Sequence, residues 1–301
     1  MSEFQAAPPA PLRETRPFYW SVRRELWENR WIYLAPVVAV GFVLFAYSFY
    51  ALGLPKHLRQ FAAQNPAKQH EAVVMPYNAV AGMVMMTAFL IAVFYCLEAF
   101  QGERRDRSIL FWKSLPLSDR TVVLSKASIP LVVMPVLMLA IVVTAQALML
   151  QFALVRMASD RWALALLWTH LQFGQMLIAE TYGFIVIALW HAPIFAWLLL
   201  VSITVKRAAI LWAVLPFLVI FAAEHIAFNT HSFANLIGYR FMGWFQEAFY
   251  FPPKGSTIVL EPFQHLTVTR LLTAPGLWLG LVFAAAFLVL AVRLRRHREP
   301  V

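Results

Sequence analysis

Glu103-Arg-Arg-Asp-Arg-Ser-Ile-Leu-Phe-Trp-Lys-Ser-Leu-Pro116, continuing Leu-Ser-Asp-Arg-Thr-Val-Val-Leu-Ser-Lys126, lies between two uncharged apolar runs at about 73–97 and 127–155. Each run exceeds the 18 or so apolar residues that read as a membrane-crossing helix. The stretch between them is therefore a short polar connection between two spans. It is charged at its start and then carries a compact apolar knob, Ile109, Leu110, Phe111, Trp112 and Leu115. Pro116 stops any helix there, because proline cannot continue the backbone ladder. A short amphipathic element held at the membrane by a helix on each side suits docking to a soluble partner. The plainer role is a surface helix with Trp112 at the lipid interface.

Four further runs extend the pattern, at about 31–53, 178–205, 208–228 and 271–292. The fifth run in chain order, 208–228, is interrupted by Glu224 and His225. The chain is 61% hydrophobic and 13% charged, against about a quarter charged in a soluble domain. These features specify an all-α integral membrane protein of six transmembrane helices. Residues 1–16, with Pro8, Pro9 and Pro11, are expected to be a disordered tail, and 17–301 a single membrane domain. The uncharged segment 162–179 contains His170, Gln172 and Gln175. It reads as an interfacial helix leading into the fourth span, with a re-entrant element as the alternative. Cys96 is the only cysteine, so no disulfide forms within the chain. The first run follows a long polar segment and lacks a small-residue cleavage site, so it is expected to remain as an anchor.

The net charge of +10 follows from cytosolic loops, which collect Lys and Arg. Nucleic-acid binding has no supporting pattern. With six spans, Lys56, Arg59, Lys68, Arg156, Arg161, Arg240, Lys254 and Arg270 fall on one side, and the larger share of the 25 Lys and Arg residues on the other. That split places both termini and residues 101–126 in the cytosol. Residues 17–30 read as an amphipathic surface helix: Pro17 suits a first helical position, Tyr19, Val22 and Leu26 share a face, and Arg24 and Glu28 lie opposite. Residues 54–72 read as an outside loop with Pro55 and Pro66. Residues 229–270 form the largest outside segment, with one or two short helices in 233–251 and a turn at Pro252-Pro253-Lys-Gly255.

Two stretches together resemble the permease subunits of ABC transporters of the type-2 exporter class. In the first, Glu103, Ser108, Ile109, Leu115, Pro116, Ser118 and Lys126 fall at matching places of that family's first cytosolic loop. Many members have Gly-Thr where this chain has Arg107-Ser108. The match is to a subgroup with an Asp-Arg-Ser-Ile-Leu-Phe-Trp-Lys-Ser-Leu-Pro core. In the second, Leu189-Trp190-His-Ala-Pro193, Trp197, Leu199, Leu200, Ser202 and Lys206-Arg207 resemble the fourth span of that subgroup. The resemblance implies an elbow helix before the first span and a coupling helix between the second and third. It implies that Glu103, Arg104, Asp106, Arg107, Ser108, Ile109, Leu110, Phe111, Trp112, Lys113, Leu115 and Pro116 contact an ATPase. Two ABC ATPase subunits, a second permease copy as homodimer, and membrane lipid are the implied partners, in a bacterial inner membrane. The implied cargo is unidentified and exported, with a hydrophobic or amphipathic molecule as the expectation.

No Gly-x-x-x-x-Gly-Lys-Ser/Thr phosphate loop occurs, so ATP and Mg belong to a separate subunit and this chain is not expected to be an enzyme. No cofactor and no metal are expected, since His225 and His231 lack companions for a plausible ligand set. Ionisable groups within spans are functional candidates by default. Glu180, His191, Glu224 and His225 are therefore the candidates for a translocation path. Their plainer roles are hydration at the outer surface or hydrogen bonds between helices; for His191, the plainer partner is backbone freed by Pro193. Glu98 and Glu103 are expected to pair with Arg104 or Arg105. Gly276 and Gly280 form a small-x-x-x-small pair that permits close helix approach. Prolines 36, 76, 130, 135, 193, 216 and 275 can kink spans. A non-transporting scaffold or sensory anchor would use the same docking stretch without a substrate path.

Overall fold

A computed structural model describes residues 16–62, 66–105, 118–249 and 266–297. All long elements are helices: α1 Pro17–Glu28, α2 Trp31–Ala62, α3 Pro66–Glu98, α4 Gln101–Arg105, α5 Asp119–Met157, α6 Arg161–His170, α7 Phe173–Thr204, α8 Ala209–Phe228, α9 Ser232–Ala248, α10 Val268–Thr273 and α11 Pro275–His297. Six of them, α2, α3, α5, α7, α8 and α11, are long and apolar enough to cross a membrane. The protein is accordingly an all-α, multi-pass membrane protein. The reading of residues 1–15 as a tail and the turn at 252–255 lie outside the described residues.

The helices outrun the apolar stretches that announce them. The described residues of 54–72 are helical where a loop is expected: α2 runs through Pro55 to Ala62, and α3 begins at Pro66. Pro66 occupies the opening position of its helix, where the missing N–H has no intrahelical partner to lose. The third span likewise begins before its apolar run. Ser118 caps α5 by accepting from the Thr121 N–H at 3.1 Å, and Asp119 sits in the first turn where the helix dipole favours a carboxylate. Pro130 is absorbed in a π turn, Ile129–Val133, whose wider winding tolerates the missing donor. Pro275 opens α11 after a break at Ala274. The short α6 is separated from α7 at Leu171–Gln172. Asp160 caps it, accepting from the Ala163 N–H at 3.2 Å and from Arg59 at 2.7 Å. Of the region 233–251, the described residues form one helix, α9, that ends at Ala248.

α7 is the central helix. Of the most apolar window in Arg161–Thr204, 72% is buried within the protein, against 11% for α8. α11, α3 and α5 pack along α7, and α2 packs against α3 and α5. The exposed faces of α8 and α2 are dense in Ile, Leu, Val, Phe and Trp. Such continuous apolar surface is incompatible with water and suits lipid or another apolar surface. α8 is bounded by two residues with left-handed backbone, Ala208 (φ 54°) and Asn229 (φ 49°). Asn tolerates that conformation, while alanine there is strained.

α1 sits against α5. Its inward face is centred on Ser21 and Glu25, with Val22 and Leu26 half-buried beside them. Tyr19 is exposed, and Arg24 turns inward, so the expected division between Tyr19-Val22-Leu26 and Arg24-Glu28 does not hold. Burying charge on this face requires partners on the elements below.

Candidate functional site: a buried charge network at the terminal end

The start of α1, the α3–α4 junction, the start of α5 and the end of α11 lie at one end of the bundle, here the terminal end. Four helices meet there through charged side chains. Lys126 of α5 donates to Glu25 Oε1 at 2.7 Å and lies 3.0 Å from Glu103 Oε1. Arg24 reaches both Glu25 (2.8 Å) and Glu103 (3.0 Å). The Tyr95 hydroxyl donates to Glu25 Oε2 at 2.9 Å. Arg295 of α11 donates to Asp119 at 3.1 Å and lies 3.8 Å from Glu103 Oε2. The Glu25 and Lys126 side chains are each only 2% exposed. Burial pushes the Glu25 carboxyl up, but Lys126, Arg24 and the Tyr95 hydroxyl outweigh it and hold it below the usual carboxylate range. Arg24 is destabilised as a cation by burial, yet the three carboxylates around it raise its pKa overall. Phe100 supplies an aromatic face to both Lys126 (5.2 Å) and Arg295 (5.4 Å).

A second link ties the same region to α7. The Ser202 hydroxyl accepts from the backbone N–H groups of Phe100 (3.0 Å) and Gln101 (3.2 Å). Arg104 donates to the carbonyls of Ser202, Ile203 (2.9 Å) and Val205 (3.0 Å). These are the carbonyls that a helix C-terminus leaves without intrahelical donors, and a guanidinium also complements the dipole there. Arg104 thus caps α7. Glu98 meets Arg105 in a loose exposed pair at 3.6 Å, as expected, whereas Glu103 is committed to the network.

Of the twelve residues expected to contact an ATPase, only Glu103 and Arg104 are described. Asp106, Arg107, Ser108, Ile109, Leu110, Phe111, Trp112, Lys113, Leu115 and Pro116 lie outside the described residues. Both flanks of that segment are fixed, by Glu103 and Arg104 before it and by Asp119 and Lys126 after it.

The four candidates for a path fall in different places. Glu180 is buried in the half of the bundle away from the terminal end. It accepts from the Gln146 carboxamide, which also donates to the Tyr77 carbonyl at 3.3 Å. Among the described residues, Glu180 Oε2 has no hydrogen-bond partner. His191 is also buried, with Nδ1 2.9 Å from the Ile187 carbonyl and Nε2 3.4 Å from that of Phe241. Its intrahelical partner is thus the carbonyl four residues back, not the Leu189 carbonyl that Pro193 frees. Glu224 accepts from Thr230 (2.7 Å) and from the N–H groups of Ser232 (2.8 Å) and Phe233 (2.9 Å). It therefore caps the start of α9 from a different helix. His225 is exposed and stacks on His231, ring centroids 5.0 Å apart. The four do not converge on a single site.

Arg240 forms an anchor that the sequence does not announce. Its guanidinium donates to the carbonyls of Gly276 (2.8 Å) and Trp190 and lies over the Trp190 ring at 5.0 Å. The Trp190 indole returns a bond to the Arg240 carbonyl at 2.9 Å. Gly276 and Gly280 make room for this α9 segment: a Cβ at Gly276 would strike Tyr239, and one at Gly280 the Arg240 guanidinium. The small-residue pair therefore admits two side chains rather than another span. No group of three or more His, Cys, Asp and Glu that could hold a metal occurs among the described residues. No protein-family model and no curated protein matches this sequence.

Proposed function

We propose that the chain is the permease subunit of an ABC exporter of the type-2 class. It sits in the cell membrane, a bacterial inner membrane in this reading, with both termini and residues 101–126 in the cytosol. It works as a dimer of permeases with two separate ATPase subunits that bind ATP and Mg. The observation carrying this reading is that the two stretches resembling that family, about a hundred residues apart, touch. The first reaches the second through Arg104 and Ser202. A soluble motor docked on the knob Ile109–Leu115 would push on a segment whose flanks are tied to α1, α5, α7 and α11. Ion pairs and a helix cap are stiff enough to pass that push to the membrane half. Movement of α7 against its neighbours then opens a route for cargo to the far side, and α1 acts as the elbow lying on the membrane surface.

The test is purification of the tagged chain from its native membrane. The expected companion is a P-loop ATPase of the ABC type in equal amount. A preparation holding a soluble partner but no ATPase would favour a scaffold or sensory anchor. Sidedness is tested separately with single cysteines at Ser108 and Ser256 in a Cys96→Ser background. They should label from opposite sides, and labelling from the same side would sink the topology.

A further inference from the structure

At the terminal end, a groove of about 900 Å³ lies between the start of α5 and the end of α11. Its polar rim holds Ser118, Asp119, Arg120, Arg293 and Arg296, and its wall is Leu124, Leu288, Val289 and Val292. Arg120, Arg293 and Arg296 are all exposed. Asp119, the one carboxylate on the rim, is already engaged by the Nε of Arg295. The rim is therefore strongly cationic, and the wall below it is apolar and runs into the part of α11 that is long and apolar enough to cross a membrane.

We propose that this groove binds an anionic phospholipid of the leaflet that meets this end of the bundle. The phosphate sits between Arg120 and Arg296, and an acyl chain lies along Leu124, Leu288, Val289 and Val292. Guanidinium forks match phosphate oxygens in pairs, and a basic cluster at the membrane surface is attracted to anionic lipid. Scattered interfacial arginines would give that attraction without a site. Here the arginines come from two helices and rim one cavity of the size that ligands occupy. A bound lipid would bridge α5 and α11 beside the charge network. The proposal rests on the bundle being embedded in a membrane and is independent of the exporter reading.

Native mass spectrometry of the full chain in detergent, titrated with phosphatidylglycerol or with phosphatidylcholine of the same chain length, tests it. The expected result is one phosphatidylglycerol per chain bound about tenfold or more in preference to phosphatidylcholine. Removing two guanidinium groups in an R120Q/R296Q variant should weaken phosphatidylglycerol binding by roughly thirtyfold and leave phosphatidylcholine unchanged. Both side chains are exposed, so the thermal midpoint should hold. Leu124→Ser should weaken both lipids. Equal binding of the two lipids, or a preference that survives in R120Q/R296Q, would overturn the proposal. Displacement of the lipid by excess glycerol phosphate would also overturn it, reassigning the groove to a soluble phosphate ester.

Discussion

The two halves of the bundle solve the problem of buried polarity in opposite ways. At the terminal end, Glu25, Glu103, Lys126, Arg24 and Arg295 neutralise one another across four helices. In the far half, Glu180 meets a neutral carboxamide, and Arg240 is solvated by backbone carbonyls and an indole. The first arrangement locks elements together, since removing any member strands a buried opposite charge. The second satisfies single polar groups with neutral partners, so that no opposite charge is stranded when one of them is removed. In the proposed exporter, the ion-paired end is the one that would receive the push of the ATPase.

The largest effect should come from Lys126→Met. It removes the more deeply buried of the two cations that Glu25 and Glu103 share and leaves only Arg24 bridging them, and breaking a buried pair from one side costs roughly 3–5 kcal/mol. Thermal unfolding in detergent, referred to wild type, would show it. A loss near zero would mean that water reaches the cluster and that the proposed rigidity is absent.

Next is the response to acid. The Glu25 carboxyl is held below its ordinary range in the folded protein, so its contribution to stability is fully present above the unfolded value of about 4.3. That contribution is lost as pH falls through the lower folded value. Wild type should therefore hold its stability down to about pH 5 with respect to this group and lose it below about pH 4. Glu25→Gln should be less stable at pH 7 and should show a shallower acid loss. Parallel acid profiles for the two proteins would contradict the pairing.

Gly280→Ala should have an intermediate effect. Its new methyl displaces the Arg240 guanidinium, which loses its bonds to Trp190 and Gly276. A buried group left without its partners costs about 1–3 kcal/mol. Arg240→Met, which removes the charge as well, should abolish the additional penalty of Gly280→Ala in a double-mutant cycle. Additive losses would show that the glycine serves another neighbour.

Glu180→Gln should have the smallest effect, under ~1 kcal/mol, because the carboxamide oxygen still accepts from Gln146 and no cation is stranded. A loss as large as that for Lys126→Met would erase the contrast between the two halves.

The sequence discloses the six long helices because each carries an apolar run near membrane length, the one in α8 broken late by Glu224 and His225. It discloses less of their ends, since propensity and caps extend a helix past the apolar run, as Ser118 and Asp119 do for α5 and Pro66 for α3. The charge network is hidden by distance, since Glu25 and Lys126 are 101 positions apart. A faint signal exists. Lys126 stands one turn from Val122 and Ile129, both buried, so it lies on an apolar face where a cation needs a partner. Glu224 reads in sequence as a charge near a span end. Its service as a cap for α9 depends on a turn through Asn229, which puts the start of α9 against the end of α8. Arg240 was legible only as one of the charges on the far side, because its partners are backbone atoms of other helices.

The exporter account is tested most directly by Trp112→Ala in the complex reconstituted with its ATPase. In the proposed docking, Trp112 of the apolar knob fills a pocket of the ATPase, a kind of contact worth ~2 kcal/mol or more. The account predicts that the variant inserts normally, binds the ATPase about thirtyfold more weakly and loses its stimulation of ATP hydrolysis. Unchanged binding together with unchanged stimulated hydrolysis would contradict it and return Trp112 to the lipid interface.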